Sequence, residues 1–183
     1  MKSKLLVGML MIVAVILYSC NNNSEQKKAR KKVAQNTIIQ QKDGTISLKV
    51  DKAECYHDLV NPSSNTAEWN VRVSKSGRFN VWLSSATKDT TDLQYNNSVR
   101  LSILDKRIEG RPACDKIIRN SSDVTYPYFR ADSFMGSLYI QDTGLYNIQI
   151  ISEKILTKDF SKGESSASES SKLLSVFLTP ITR

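Results

Sequence analysis

The chain has 183 residues, with 26 Lys and Arg, 18 Asp and Glu and a single His, which suits one ordinary domain plus extensions. Its net charge of +8 is unevenly placed: residues 45–183 hold 18 basic and 16 acidic side chains, so most of the excess lies earlier, in Lys2, Lys4 and the cluster Lys27, Lys28, Arg30, Lys31 and Lys32. A basic run can track phosphates, but no aromatic residue interleaves with this one to stack a base, and nucleic acid is therefore not expected as a partner.

In chain order, the first segment is a basic start followed by an apolar run from Leu5 to Leu17. It is too short and wrongly flanked for a spanning helix and reads as a signal peptide over residues 1–19. Leu17-Tyr18-Ser19-Cys20 resembles a bacterial lipobox. Cys20 is then expected to carry the lipid (palmitate-type acyl chains), and the several chains together hold a membrane firmly. Residues 20–43 are polar and Lys/Asn-rich, without an apolar period, and are expected to form a flexible basic tether that leans on anionic headgroups. The folded domain is expected over 44–183. Asn21 after the lipid site, rather than Asp, points to the outer membrane of a cell envelope.

From there the chain alternates with period two. Strands are expected at 46–50, 67–74, 78–85, 98–104, 116–119, 137–141, 145–151 and 173–181. Lys75-Ser76-Gly77 reads as the turn of a hairpin between the second and third, with Gly77 free to take a positive φ. No amphipathic helix is apparent. About eight strands with short turns predict an all-β fold, an antiparallel β-sandwich of the jelly-roll kind. The inward set is Trp69, Val71, Val73, Phe79, Val81, Leu83, Val99, Leu101, Ile103, Leu138, Ile140, Tyr146, Ile148, Ile150, Leu174, Val176 and Leu178; a one-residue slip in any strand would turn its set to water. Trp69 is in step with its strand. Trp82 is out of step with Phe79, Val81 and Leu83, so it belongs to an outer face, as do Tyr139 and Phe177.

Several stretches together resemble a known family: Glu68-Trp69 opening a strand, Ser76-Gly77-Arg78-Phe79-Asn80-Val81-Trp82-Leu83, Met135-Gly136-Ser137-Leu138-Tyr139-Ile140, Gly144-Leu145-Tyr146-Asn147-Ile148, and Leu174-Ser175-Val176-Phe177-Leu178-Thr179-Pro180. They are similar to the galactose-binding-like jelly rolls, most of all the family 6 carbohydrate-binding modules and related accessory domains of bacterial fucosidases and sulfatases. The likeness spans residues 45–181. It implies a non-catalytic module that binds glycan. Ala53-Glu54 matches a pair often found near a structural calcium in such modules, but the last strand lacks the usual acidic partner, so no metal or other cofactor is expected.

Enzyme signatures are missing. His57 beside Asp58 lacks a nucleophile at a recognisable spacing, acidic residues are scattered singly, and no nucleotide loop or zinc spacing occurs. Cys55 and Cys114 remain once Cys20 is acylated. In an exported domain they suggest a disulfide, closing a loop of about 60 residues worth roughly 3–4 kcal/mol, with two buried thiols as the alternative. A sugar site needs an exposed aromatic platform with a polar rim. The candidates are Trp82 with Arg78 and Asn80 on the sheet face, and Tyr56 with His57, Tyr95 with Asn96 and Asn97, and Tyr126 with Tyr128 in loops. The competing account of Trp82 is that it seats a covering loop. The competing account of the protein is a structural or protein-interaction lipoprotein without a sugar ligand, for which Leu104, Leu145 and Ile151 on the polar register are suited. The Gly/Ser/Glu-rich stretch 158–172 reads as a mobile excursion.

Overall fold

A computed structural model describes residues 37–156 and 170–182. The expected signal peptide, the lipid site at Cys20, the tether up to residue 36 and most of the Gly/Ser/Glu-rich excursion lie outside these residues. Thr37–Arg183 is one compact unit.

The strands are β1 (Ile38–Ile39), β2 (Ile46–Lys49), β3 (Glu54–Tyr56), β4 (Thr66–Val73), β5 (Gly77–Thr87), β6 (Val99–Ile103), β7 (Lys106–Gly110), β8 (Lys116–Ile118), β9 (Phe129–Ile140), β10 (Gly144–Ile151) and β11 (Ser171–Pro180). They form two sheets. One runs β1-β4-β10-β6-β7 with β3 also paired to β4; the other runs β2-β11-β5-β9-β8. All pairings are antiparallel except β1 with β4. The all-β sandwich expected from the alternation is therefore present. Its core is the expected inward set, with one exception, extended by Ile46, Leu48, Leu93, Tyr95, Ala131 and Ile155.

Three expectations change. First, β4 and β5 are not a hairpin: β4 pairs β10 in one sheet and β5 pairs β9 and β11 in the other. The turn at Lys75–Gly77 exists, with Gly77 at φ +149°, but it carries the chain across the sandwich. Second, β11 contains a bulge between Leu173 and Ser175, so Leu173 enters the core and Leu174 is only half-buried. Third, the described fold includes Thr37–Asp43, which were expected to be tether. Ile38 pairs with Val71, and Gln40, 5% exposed, sits in a backbone cage. Its Oε1 accepts from the amides of Ser74 (2.9 Å) and Lys75 (2.7 Å), and its Nε2 donates to Gly44 O (2.7 Å). A polar side chain needs no apolar period to be buried when every polar atom is matched. That is why composition marked this segment as tether.

The cysteines are not joined to one another. Cys55 lies on β3, beyond β4, with Sγ 3.8 Å from Val50 O. Cys114 follows β7, the opposite edge of the same sheet, with β4, β10 and β6 between. Its neighbours are held against β9 of the other sheet, where Ala113 O accepts from Ser133 Oγ and Asp115 Oδ2 accepts from Phe134 N at 2.7 Å.

Candidate functional site

The outer face of the five-stranded sheet gathers most of the aromatic side chains that alternation left out of the core. Trp82 on β5 stands directly opposite Phe177 on β11 and Phe134 on β9. The three rings make a row across three adjacent strands. Trp82 and Phe134 centroids are 5.2 Å apart at 55°, a tilted arrangement suited to the ring quadrupoles. Phe134 and Tyr139 are each 47% exposed, while Trp82 and Phe177 are half-buried.

Polar groups flank the row. Asn80 pairs with Thr179 and Ser137, and its Oδ1 accepts from Ser137 Oγ at 2.8 Å. Its two amide N–H groups have no protein acceptor among the described residues. Arg78 is opposite Tyr139, and its guanidinium makes no ion pair among the described residues. Lys106 Nζ lies 5.4 Å from the Tyr139 ring centroid. The two tryptophans differ in the same way. Trp69 is 3% exposed and its indole N–H donates to Lys49 O at 2.8 Å, whereas the Trp82 N–H meets no acceptor among the described residues and is not buried.

A covering loop does exist, but it passes beside Trp82. Residues 119–128, between β8 and β9, lie over the half of the face that holds Ser84 and Ala86, which point outward on β5 yet are 1% and 0% exposed. Asp123 fastens the loop across the sheet: it accepts from Lys49 Nζ on β2 (3.0 Å) and Arg130 Nη1 on β9 (2.9 Å). The Lys49 hydrogen bond, with the charges of Lys49 and Arg130, holds the Asp123 carboxyl below its ordinary range against a partial burial cost. Arg130 also forks onto Asp132 (2.8 and 3.1 Å), which accepts from Ser84 Oγ as well, and its guanidinium stacks 4.9 Å from the Phe177 ring. The loop and the Phe177 end of the aromatic row are thus one connected network.

The other expected residues are dispersed over the molecule. Tyr128 joins this face. It lines a cleft of about 190 Å³ under the loop together with Ala86, Ser122, Asp123, Val124, Thr125 and Lys172. Tyr126 is on the same loop and 92% exposed. Tyr56, 52% exposed, is on β3 of the other sheet, away from Trp82. Tyr95 is core: it is 5% exposed, its hydroxyl shares a 2.8 Å hydrogen bond with Ser85 Oγ, and burial raises it well above the usual phenol range. Asn96 and Asn97 are held by Glu153. His57 is half-buried, with Nε2 enclosed and without a partner among the described residues. Burial first, then Asp89, Asp92 and Asp115, raise the Cys114 thiol, which disfavours a nucleophile.

Leu145 (53% exposed) and Ile151 are on the six-stranded sheet and Leu104 (75%) is in its β6–β7 turn, so they do not extend the Trp82 face. Phe134 is the residue that alternation missed. A bulge in β9 sets Val81 opposite Gly136 and Trp82 opposite Phe134, which leaves Met135 as the extra residue, and Gly136 takes φ +134°. Phe134 therefore turns outward although it has the parity of Leu138 and Ile140. The Met135-Gly136 pair, a glycine inside a strand pattern, is the signal that could have shown it.

No family model matches the chain, and no curated protein matches it. Among solved structures it is similar to part of an α-L-fucosidase from Vibrio sp. strain EJY3, with a TM-score of 0.61 and 19% identity over 79% of this chain and 24% of that one. Weaker likenesses are to a GH26-CBM35 β-(1,4)-mannanase from Podospora anserina (TM-score 0.46, 11% identity, 78% of this chain and 29% of that one) and to the mosquito-larvicidal Cry4Aa toxin from Bacillus thuringiensis (TM-score 0.48, 11% identity, 81% and 25%). This chain spans about a quarter of the fucosidase's length. The likeness to the fucosidase is one of fold, a β-sandwich shared with a portion of a carbohydrate-active enzyme.

Proposed function

We propose that this protein is a non-catalytic, lipid-anchored envelope protein of the galactose-binding-like kind, and that it binds glycan along the outer face of its five-stranded sheet. The observation that carries the reading is the Phe177–Trp82–Phe134 row, beside unsatisfied donors on Asn80, Arg78 and the Trp82 indole. Sugar rings present apolar C–H faces and a rim of hydroxyls, and such a row answers both. The uncovered outer face along β5, from Arg78 to Trp82, is roughly 13 Å long at ~3.3 Å per residue, which has room for a short stretch of glycan chain. Cys20 would attach the module to the membrane and the basic segment would hold it near the headgroups.

The test is affinity electrophoresis of the Thr37–Arg183 unit through gels containing soluble polysaccharides. Trp82→Ala should abolish retardation while changing the urea midpoint little, since Trp82 is outside the core. Tyr56→Ala, on the other sheet, should leave retardation intact. Retardation that survives Trp82→Ala would move the site elsewhere.

The second reading, a protein-binding lipoprotein, has its own surface. Ile39 (67% exposed) and Leu145 (53%) both stand opposite Arg72 on the other sheet, an aliphatic pair around an arginine. Glycan binding lost through Trp82→Ala and kept in Leu145→Asp would separate the two.

A further inference from the structure

Among the described residues, the cleft at the loop-covered end of the same face carries more positive charge than its own ion pairs consume. Four cations meet its lining: Lys172 is part of the wall, Lys88 lies over the ring of the wall residue Tyr128, and Lys49 and Arg130 pair with Asp123. Lys49 and Arg130 are spent on Asp123 and Asp132. The other two are not. Lys88 Nζ lies 5.1 Å and Lys172 Nζ 5.9 Å from the centroid of the Tyr128 ring, and neither has a carboxylate partner among the described residues. Two ammonium groups drawn to one ring repel each other, and an anion between them would relieve that repulsion. The one carboxylate in the wall, Asp123, is already neutralised twice and is held ionised, so it neither competes for the lysines nor leaves the cleft acidic.

The position of the cleft gives the anion a context. Ala86 in its floor is four residues along β5 from Trp82, ~13 Å at strand rise. Loop 119–128 covers Ser84 and Ala86, so a glycan resting on the Trp82 row would follow the edge of that loop to the mouth of the cleft, a distance of a few sugar units. We propose that this cleft takes the acidic group, carboxylate or sulfate, of such a glycan, and that the ligand is an acidic polysaccharide. The proposal rests on the glycan-binding reading above and adds the charge class to it.

The test uses the Thr37–Arg183 unit, which leaves out the basic cluster at Lys27–Lys32 that would hold any polyanion by itself. Two matched pairs of polymers serve as probes: polygalacturonate against its fully methyl-esterified form, and dextran sulfate against dextran. Affinity is measured in low and moderate salt. The acidic member of a pair should bind about tenfold more tightly, the effect of one well-made charge-assisted contact. Which pair shows the difference distinguishes carboxylate from sulfate. Lys88→Gln with Lys172→Gln should erase the preference and leave the residual binding equal to that of the neutral polymer. Trp82→Ala should weaken both members. Equal binding of acidic and neutral polymers, or a preference that persists in the double variant, overturns the acidic-ligand proposal and leaves glycan binding standing. Binding of neither, with circular dichroism unchanged, overturns both.

Discussion

Two tryptophans thirteen residues apart in the sequence show how much a side chain's role depends on which way its strand presents it. Trp69 and Trp82 have the same chemistry, but only one has its N–H satisfied by the backbone. The ring of Trp82 instead adjoins Phe134 and stands opposite Phe177, over whose ring the Arg130 guanidinium lies. Arg130 owes its position to Asp123 and Asp132, so the shape of the aromatic row depends on the ionisation of a carboxylate in the covering loop. The pH dependence follows from the sign of the shift. The Asp123 carboxyl is depressed below 3.8 in the folded protein, chiefly by the Lys49 hydrogen bond. Its contribution to stability is therefore complete above that value and disappears as pH falls through the lower, folded one. Asp123→Asn should lower the thermal midpoint at pH 7, and the gap from the parent should close as pH is taken below 3.8. A gap that stays constant down to the acid-unfolded state would show that Asp123 acts through packing alone.

Eight strands were legible in the sequence, but β1, β3, β7 and the first part of β9 were not, and neither were the strand partners. Alternation identifies a half-buried strand because side-chain direction has period two, and this placed every expected inward residue except Leu174 correctly. It says nothing of which neighbour a strand will choose, which is why β4 and β5 looked like a hairpin and belong to different sheets. It also fails at insertions. The bulges in β11 and β9 each shift parity by one, and they account for Leu173 replacing Leu174 and for Phe134 appearing on the outer face. Tyr139, Phe177 and Trp82 could be assigned outward from sequence; that they form one patch required the order β11-β5-β9. The cation-rich cleft had no sequence signal at all, because Lys88, Lys172 and Tyr128 come from three separate segments. The β9 bulge itself is open to test. Gly136 sits at φ +134°, a region costly for any residue with a Cβ, although a methyl there would meet Ile108 Cγ2 at an ordinary 3.6 Å. Gly136→Ala should therefore destabilise by about 1–2 kcal/mol through backbone strain rather than a clash. Denaturant titration would measure this, and an unchanged midpoint would mean that the strand relaxes without its bulge.

At the scale of the molecule, the sandwich is fastened at one corner by a residue that composition would assign to a linker. Gln40 ties the N-terminal segment to the turn after β4 and to Gly44, and β1 extends the six-stranded sheet by pairing parallel to β4. This corner is also where a membrane tether would enter the fold, so under the lipid-anchored reading any pull on the anchor is first borne by Gln40 and the β1–β4 pairing. A domain cut at Gly44 loses both. It should still fold, because the hydrophobic core from Ile46 onward is intact, but with a stability lower by roughly 2–4 kcal/mol, the worth of a few buried hydrogen bonds left unmade. Urea unfolding of the chains starting at Thr37 and at Gly44 should show the shorter one melting at lower denaturant with a similar slope. Gln40→Ala in the longer chain should reproduce at least half of the loss, because its side chain rather than the short strand supplies most of the matched polar contacts. Coincident midpoints for the two chains would return residues 37–43 to the tether and leave the sandwich to stand on its two sheets alone.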